Sequence, residues 1–86
     1  MKYRVAIIGA GQLGSRYLQG MVHCKLPLHI MVIDPSNESL VRAQDRWNEV
    51  SAIRNVHFVE FLKSYKDLLC YVLRKWKTIP NLIIVE

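Results

Sequence analysis

The stretch YRVAIIGAGQLGSRYLQGM, residues 3–21, decides how the rest of the chain is read. An unbroken apolar run over residues 5–8 meets three glycines spaced Gly9-x-Gly11-x-x-Gly14, and a segment of helical period follows. The chain has only four glycines, and three of them fall within six residues. Glycine at that density reports a constraint on the backbone rather than a side-chain role.

In a strand–loop–helix unit the first glycine permits a tight turn out of the strand, with dihedral angles costly for other residues. The second carries no side chain, so the pyrophosphate of a ligand can approach the backbone. The third lets the helix pack closely against the first strand. Such a loop presents N–H groups and the positive end of the helix dipole to an anion. Gly9, Gly11 and Gly14 occupy these places, with Ala10 between the first two and Gln12 and Leu13 offering amides at the helix start.

The pattern also requires an acid about twenty residues further on. Asp34, twenty residues past Gly14, ends a second apolar run, residues 28–33. A carboxylate there accepts hydrogen bonds from both hydroxyls of an adenosine ribose and repels a 2′-phosphate, which favours NAD and leaves NADP as the other candidate. Arg42, one to two helical turns downstream, is the residue that could reach a 2′-phosphate. The bland alternatives are an ordinary glycine turn and an aspartate that merely opens the next turn. Strand, glycines, helix and acid together argue against both.

Neighbouring nucleotide folds are separable on these residues. A phosphate-binding P-loop needs Lys and then Ser or Thr after its last glycine, whereas Ser15-Arg16 follow Gly14. The acid at the end of strand one that is common in methyltransferases is replaced by Ile7 and Ile8. Flavin binding by a similar fold stays open, although Asp is less usual there than Glu.

The remaining segments alternate in period. Leu13, Tyr17, Leu18, Met21 and Val22 recur at helical spacing over residues 12–23 and predict one apolar stripe. Asp34-Pro35-Ser36-Asn37 reads as a turn, with Ser36 or Asn37 capping the next helix, whose core face is Leu40, Ala43, Trp47 and Val50. Residues 55–59 predict a shorter third strand. Residues 64–77 return to helical period through Leu68, Leu69, Val72, Leu73 and Trp76, and LIIVE, residues 82–86, is a fourth buried strand. The order β-α-β-α-β-α-β implies an α/β, Rossmann-type parallel sheet with helices on both faces, truncated after its fourth strand. Residues 1–86 then make one dinucleotide-binding domain, the N-terminal part of a larger enzyme. Strand four would lie at an open sheet edge, and an apolar edge of that kind favours self-association.

Composition narrows the function classes. At 51% hydrophobic and 22% charged, the chain is too apolar for disorder. No apolar run reaches membrane-spanning length, so no membrane partner is expected. The N-terminus enters the first strand directly, which leaves no signal peptide and argues for the cytoplasm. Cys24 and Cys70 lie far apart without clustered histidines, which speaks against a metal site and for free thiols. The net charge of +5 comes from dispersed residues such as Arg42, Arg46, Arg54 and Lys63. No aromatic platform is interleaved with them, so they read as solvated helix faces rather than as a nucleic-acid surface.

RVAIIGAGQLGSRYLQGM followed by VIDPSNESLVRAQDRW resembles the N-terminal half-domain of the glucose–fructose oxidoreductase/inositol dehydrogenase (Gfo/Idh/MocA) family, and NLIIVE resembles the strand before that family's nicotinamide-side loop. The resemblance implies that Gly9, Gly11, Gln12 and Leu13 line the pyrophosphate, that Asp34 holds the adenosine ribose, and that Ser36 sits beside it. Two positions depart from the pattern: Tyr17 stands where many members have histidine, and Glu86 stands where a small residue is usual. The family's catalytic Glu-Lys-Pro stretch has no counterpart here, so no residue is assigned to catalysis. His23, His29 and His57 lack a carboxylate or nucleophile at useful spacing and read as structural or surface residues. Two functions are expected in consequence: the cofactor-binding part of an NAD(P)-dependent oxidoreductase acting on an alcohol or carbonyl carbon, or a nucleotide-sensing or assembly module without chemistry.

Overall fold

Short β-branched runs bounded by turn residues form the strands, and helical segments return the chain between them. The computed structural model describes residues 2–85. It contains β1 (Tyr3–Ile8), α1 (Gln12–Gly20) with a 3-10 turn at Met21–His23, β2 (Leu28–Ile33) and α2 (Asn37–Val50) with a 3-10 turn at Ser51–Ile53. Then come β3 (Phe58–Leu62), α3 (Tyr65–Tyr71) continued by a π-helical turn at Val72–Trp76, and β4 (Leu82–Val85). All pairings are parallel and the strand order is β3-β2-β1-β4. This is the Rossmann-type α/β arrangement, with β1 inside the sheet and β4 at one edge.

Strand alternation divides the apolar side chains between two layers. Val5, Ile7, Ile30 and Val32 meet Leu18 of α1 and Leu40, Ala43 and Trp47 of α2 on one face. Met31 and Ile33 meet Trp76, Leu68 and Val72 on the other. Helices therefore cover both faces, but unequally. Over β1 and β4 the α3 side stays open as an apolar groove of about 380 Å³, lined by Ala6, Ile8, Tyr65, Leu68, Pro80 and Ile83 among others.

Four expectations need correction. The third strand is Phe58–Leu62, not residues 55–59. The register sets Phe58 against His29 and Leu62 against Ile33, so Val59 and Phe61 reach the α1–α2 layer while Leu62 reaches α3. On α1 the buried face is Gly14, Ser15 and Leu18, whereas Leu13 and Tyr17 are about half exposed. Small residues let the helix axis approach the sheet, which turns the larger side chains outward. In the third helical segment Leu69 and Leu73 are likewise exposed. The switch from α to π geometry offsets the angular drift of an i, i+4, i+8 stripe, so Leu68, Val72 and Trp76 point inward instead. β4 is not a buried strand, since at the sheet edge Leu82, Ile83 and Val85 are about half or more exposed; Glu86, expected to end it, lies outside the described residues.

His29 anchors the α3 layer. Its Nδ1 accepts from the Trp76 indole N–H at 3.1 Å, and its Nε2 lies 3.4 Å from the Tyr71 hydroxyl and 3.7 Å from a Glu60 carboxylate oxygen. The Phe58, Tyr71 and Trp76 rings surround it. Burial holds the His29 pKa below its ordinary 6.5; Glu60 opposes that shift, and Lys2 and Arg4 add to it. A protonated ring carries hydrogen on both nitrogens and cannot accept from Trp76. The folded pKa is thus the lower one, so this contribution is complete above about 6.5 and is lost as pH falls through the folded value. The melting temperature is expected to drop between about pH 7 and pH 5, and to drop less in His29→Gln. Equal slopes for the two proteins, measured by circular dichroism, exclude the assignment.

Candidate functional site

The loops that follow β1 and β2 lie side by side at the carboxyl end of the sheet. Gly9 N–H donates to the Ile33 carbonyl at 2.8 Å, extending the β1–β2 pairing by one residue. Gly9 then takes φ 103°, in the region that side chains disfavour, and the chain turns away from the strand. Next, Ala10 N–H donates to Asp34 Oδ2 at 2.7 Å, and Ser36 N–H donates to Asp34 Oδ1 at 2.8 Å. One carboxylate thereby joins both loops. A carboxylate has about four acceptor positions, so roughly two remain for a ribose diol.

Helix α1 starts differently from the other two. Its N-cap is Gly11, with no side-chain cap and no acid in the first turn. In α2 the Ser36 hydroxyl accepts from Ser39 N–H at 3.3 Å, and Glu38 stands in the first turn. In α3 the Ser64 hydroxyl accepts from Lys66 N–H at 3.1 Å, and Asp67 stands in the first turn. The first intrahelical bond of α1 runs from Ser15 N–H to the Gly11 carbonyl at 3.0 Å, so the amides of Gln12 and Leu13 have no acceptor within the helix. Its positive end has no side-chain cap and no acid in its own first turn, the nearby Asp34 carboxylate binding Ala10 N–H just before the helix. That chemistry fits a pyrophosphate.

The structure thus brings Gly9, Ala10, Gly11, Gln12, Leu13 and Asp34 together. Gly14 is buried on the sheet side of α1, and Ser36 serves as the exposed N-cap of α2. Arg46 departs from the expected solvated face. Its Nη1 donates to the Gln12 carbonyl at 3.2 Å and to the Ser15 hydroxyl, and its Nη2 donates to Gln12 Oε1 at 3.4 Å. Nothing in the local pattern marks a residue 34 positions from Gln12, because the contact depends on how α1 and α2 cross. Arg42 instead lies 3.7 Å from Glu38 on its own helix.

The histidines lie away from these loops. His57 accepts from Leu28 N–H at 3.2 Å and approaches the Val22 carbonyl at 3.2 Å, which ties the start of β2 to the turn after α1. His23 is exposed. Among the described residues no group of three His, Cys, Asp or Glu side chains is placed to hold a metal ion, and no helix is long and apolar enough to cross a membrane.

A family model described as NADP oxidoreductase coenzyme F420-dependent matches residues 4–69. No curated protein and no solved structure matches the chain. The match overturns the resemblance to the Gfo/Idh/MocA family. The motifs behind that resemblance are the glycine loop, the strand before it and the acid after strand two, all of which serve dinucleotide binding in general and cannot separate one such family from another. With that resemblance goes its Glu-Lys-Pro stretch.

Proposed function

The chain belongs to the coenzyme F420-dependent NADP oxidoreductase family and is an NAD(P)-binding oxidoreductase Rossmann domain; from that premise we propose that the dinucleotide lies across the loops after β1 and β2. Gly11, Gln12 and Leu13 receive the pyrophosphate, with Gly9, Ala10 and Gly14 shaping the loop around it. Asp34 and Ser36 flank the adenosine ribose. The observation that carries this reading is the uncapped start of α1 beside Gly11, one loop away from the Asp34 carboxylate. The nicotinamide supplies the hydride chemistry, and these residues bind and orient it.

Within that reading NAD is favoured over NADP, because a 2′-phosphate would meet the Asp34 carboxylate. The family description names NADP, which supports the opposite preference. Calorimetric titration with both cofactors decides. NAD is expected to bind more tightly, and Asp34→Ala to erode the difference while weakening both through loss of the Ala10 contact. Equal affinities, or tighter NADP binding, sink the NAD assignment.

The reacting substrate is an alcohol or carbonyl compound; a second reading, which the family description supports, makes coenzyme F420 the hydride partner in its place. The 86 residues act as the cofactor-binding part of a longer enzyme that supplies the catalytic groups; a reading frame continuing past residue 86 into a second domain supports this. Cofactor binding without turnover by that whole product favours a sensing module instead.

By itself the 86-residue chain is proposed to self-associate through β4, an edge strand whose Leu82, Ile83 and Val85 are about half or more exposed. Light scattering over a concentration series should show growth in mass, and Ile83→Lys should shift it toward monomer. A monomer at high concentration rules this out.

A further inference from the structure

We propose that Arg46 is a positioning residue for the dinucleotide, one that grips the first turn of α1 so that the Gln12 and Leu13 amides stay aimed at the pyrophosphate. The inference rests on the reading of the glycine loop as the pyrophosphate site. A helix that starts from a glycine turn without a side-chain cap lacks the usual fastening of its first turn. Arg46 supplies one from the neighbouring helix. Its guanidinium is a planar, preorganised fork, and its donors reach the Gln12 carbonyl, the Gln12 side chain and the Ser15 hydroxyl. Ser15 is fully buried, and its hydroxyl in turn donates to the Gln12 carbonyl at 3.2 Å, so the three groups form one closed set. The Gln12 carbonyl has two lone pairs, and the Arg46 and Ser15 donors match them in number.

The brace is itself held. Gln19 Nε2 lies 3.5 Å from the Arg46 carbonyl and 3.4 Å from Glu49 Oε2, which pins this part of α2 against α1. Electrostatics point the same way. A cation beside the positive end of a helix is unfavourable unless an anion joins them. The ion pairs among the described residues are His29 with Glu60 and Arg42 with Glu38, so Arg46 has no carboxylate partner at that range. A pyrophosphate on the first turn of α1 relieves both positive charges at once.

The test uses the 86-residue chain and NAD⁺, with Arg46→Met, which keeps the stem without the fork, and Arg46→Lys, which keeps the charge alone. Arg46→Met is expected to raise the Kd for NAD⁺ about ten-fold, the scale of one hydrogen bond to a charged group, with Arg46→Lys in between. Amide hydrogen exchange without ligand should quicken at Ser15, whose buried N–H closes the first turn of α1 onto the Gly11 carbonyl, and stay unchanged at the buried β2 residues, a local signature that general destabilisation does not produce. Wild-type affinity in Arg46→Met, or unchanged exchange at Ser15, overturns the proposal. If Arg46→Met does not fold, Arg46→Lys decides by the same two readouts; failure of both to fold also overturns it, since Arg46 then holds the fold rather than the loop. A wild-type chain that does not bind NAD⁺ overturns the cofactor reading itself, a result distinct from either.

Discussion

Gly11→Val is expected to abolish dinucleotide binding while the fold survives. Gly11 has φ −69° and ψ −155°, an extended conformation open to any residue, so valine fits its backbone without strain. Its N-cap position has no side-chain hydrogen bond to lose. What changes is the space over the first turn of α1, where a branched side chain would cover the Gln12 and Leu13 amides. Two hydrogen bonds to a charged group, at about 1.5–3 kcal/mol each, are forfeited. That corresponds to a Kd at least about a hundred-fold weaker. Gly9→Val should behave differently, because φ 103° strains any side chain and the damage falls on folding. Calorimetry with NAD⁺, alongside thermal melts, separates the two outcomes. Normal binding by Gly11→Val means that the pyrophosphate does not sit on this loop.

The second large effect is on stability. Ile7→Ala is expected to destabilise the fold by about 3 kcal/mol, within the usual range of 2–5 kcal/mol for a buried isoleucine cut to alanine. Ile7 is fully buried on β1, pairs with Val32 and Ile84, and belongs to the layer formed with Leu18, Leu40 and Trp47. Flanked by strands on both sides and a helix layer above, the site cannot collapse around the lost atoms. Small domains have a total stability of only about 5–15 kcal/mol, so the variant stands near the limit of folding. Ile83→Ala, at a half-exposed edge position, should cost far less. Urea denaturation compares them; a similar midpoint for Ile7→Ala and wild type contradicts the assignment of the core.

The alternation of strand and helix, the parallel sheet with its fourth strand at an edge, and the glycine loop were all legible in the residues themselves. Each rests on a local constraint: period two or period 3.6, a backbone angle that glycine tolerates, and a turn residue such as Ser36 that caps the next helix. The same locality limits what those motifs can say. Gly9, Gly11, Gly14 and Asp34 report a dinucleotide fold and not which family it serves, so the family came from the match over residues 4–69. Tertiary packing alone decided the phase of α1, because close approach to the sheet required Gly14 and Ser15 inward and sent Leu13 and Tyr17 out. It decided the span of β3, since register is a property of two strands and Phe58 had to meet His29. It also brought Arg46 onto Gln12, and Asp34 onto Ala10 24 residues away. Hydrogen bonds between residues so distant in sequence leave no periodic trace; they form only when the crossing of two helices and the meeting of two loops put donor and acceptor within reach.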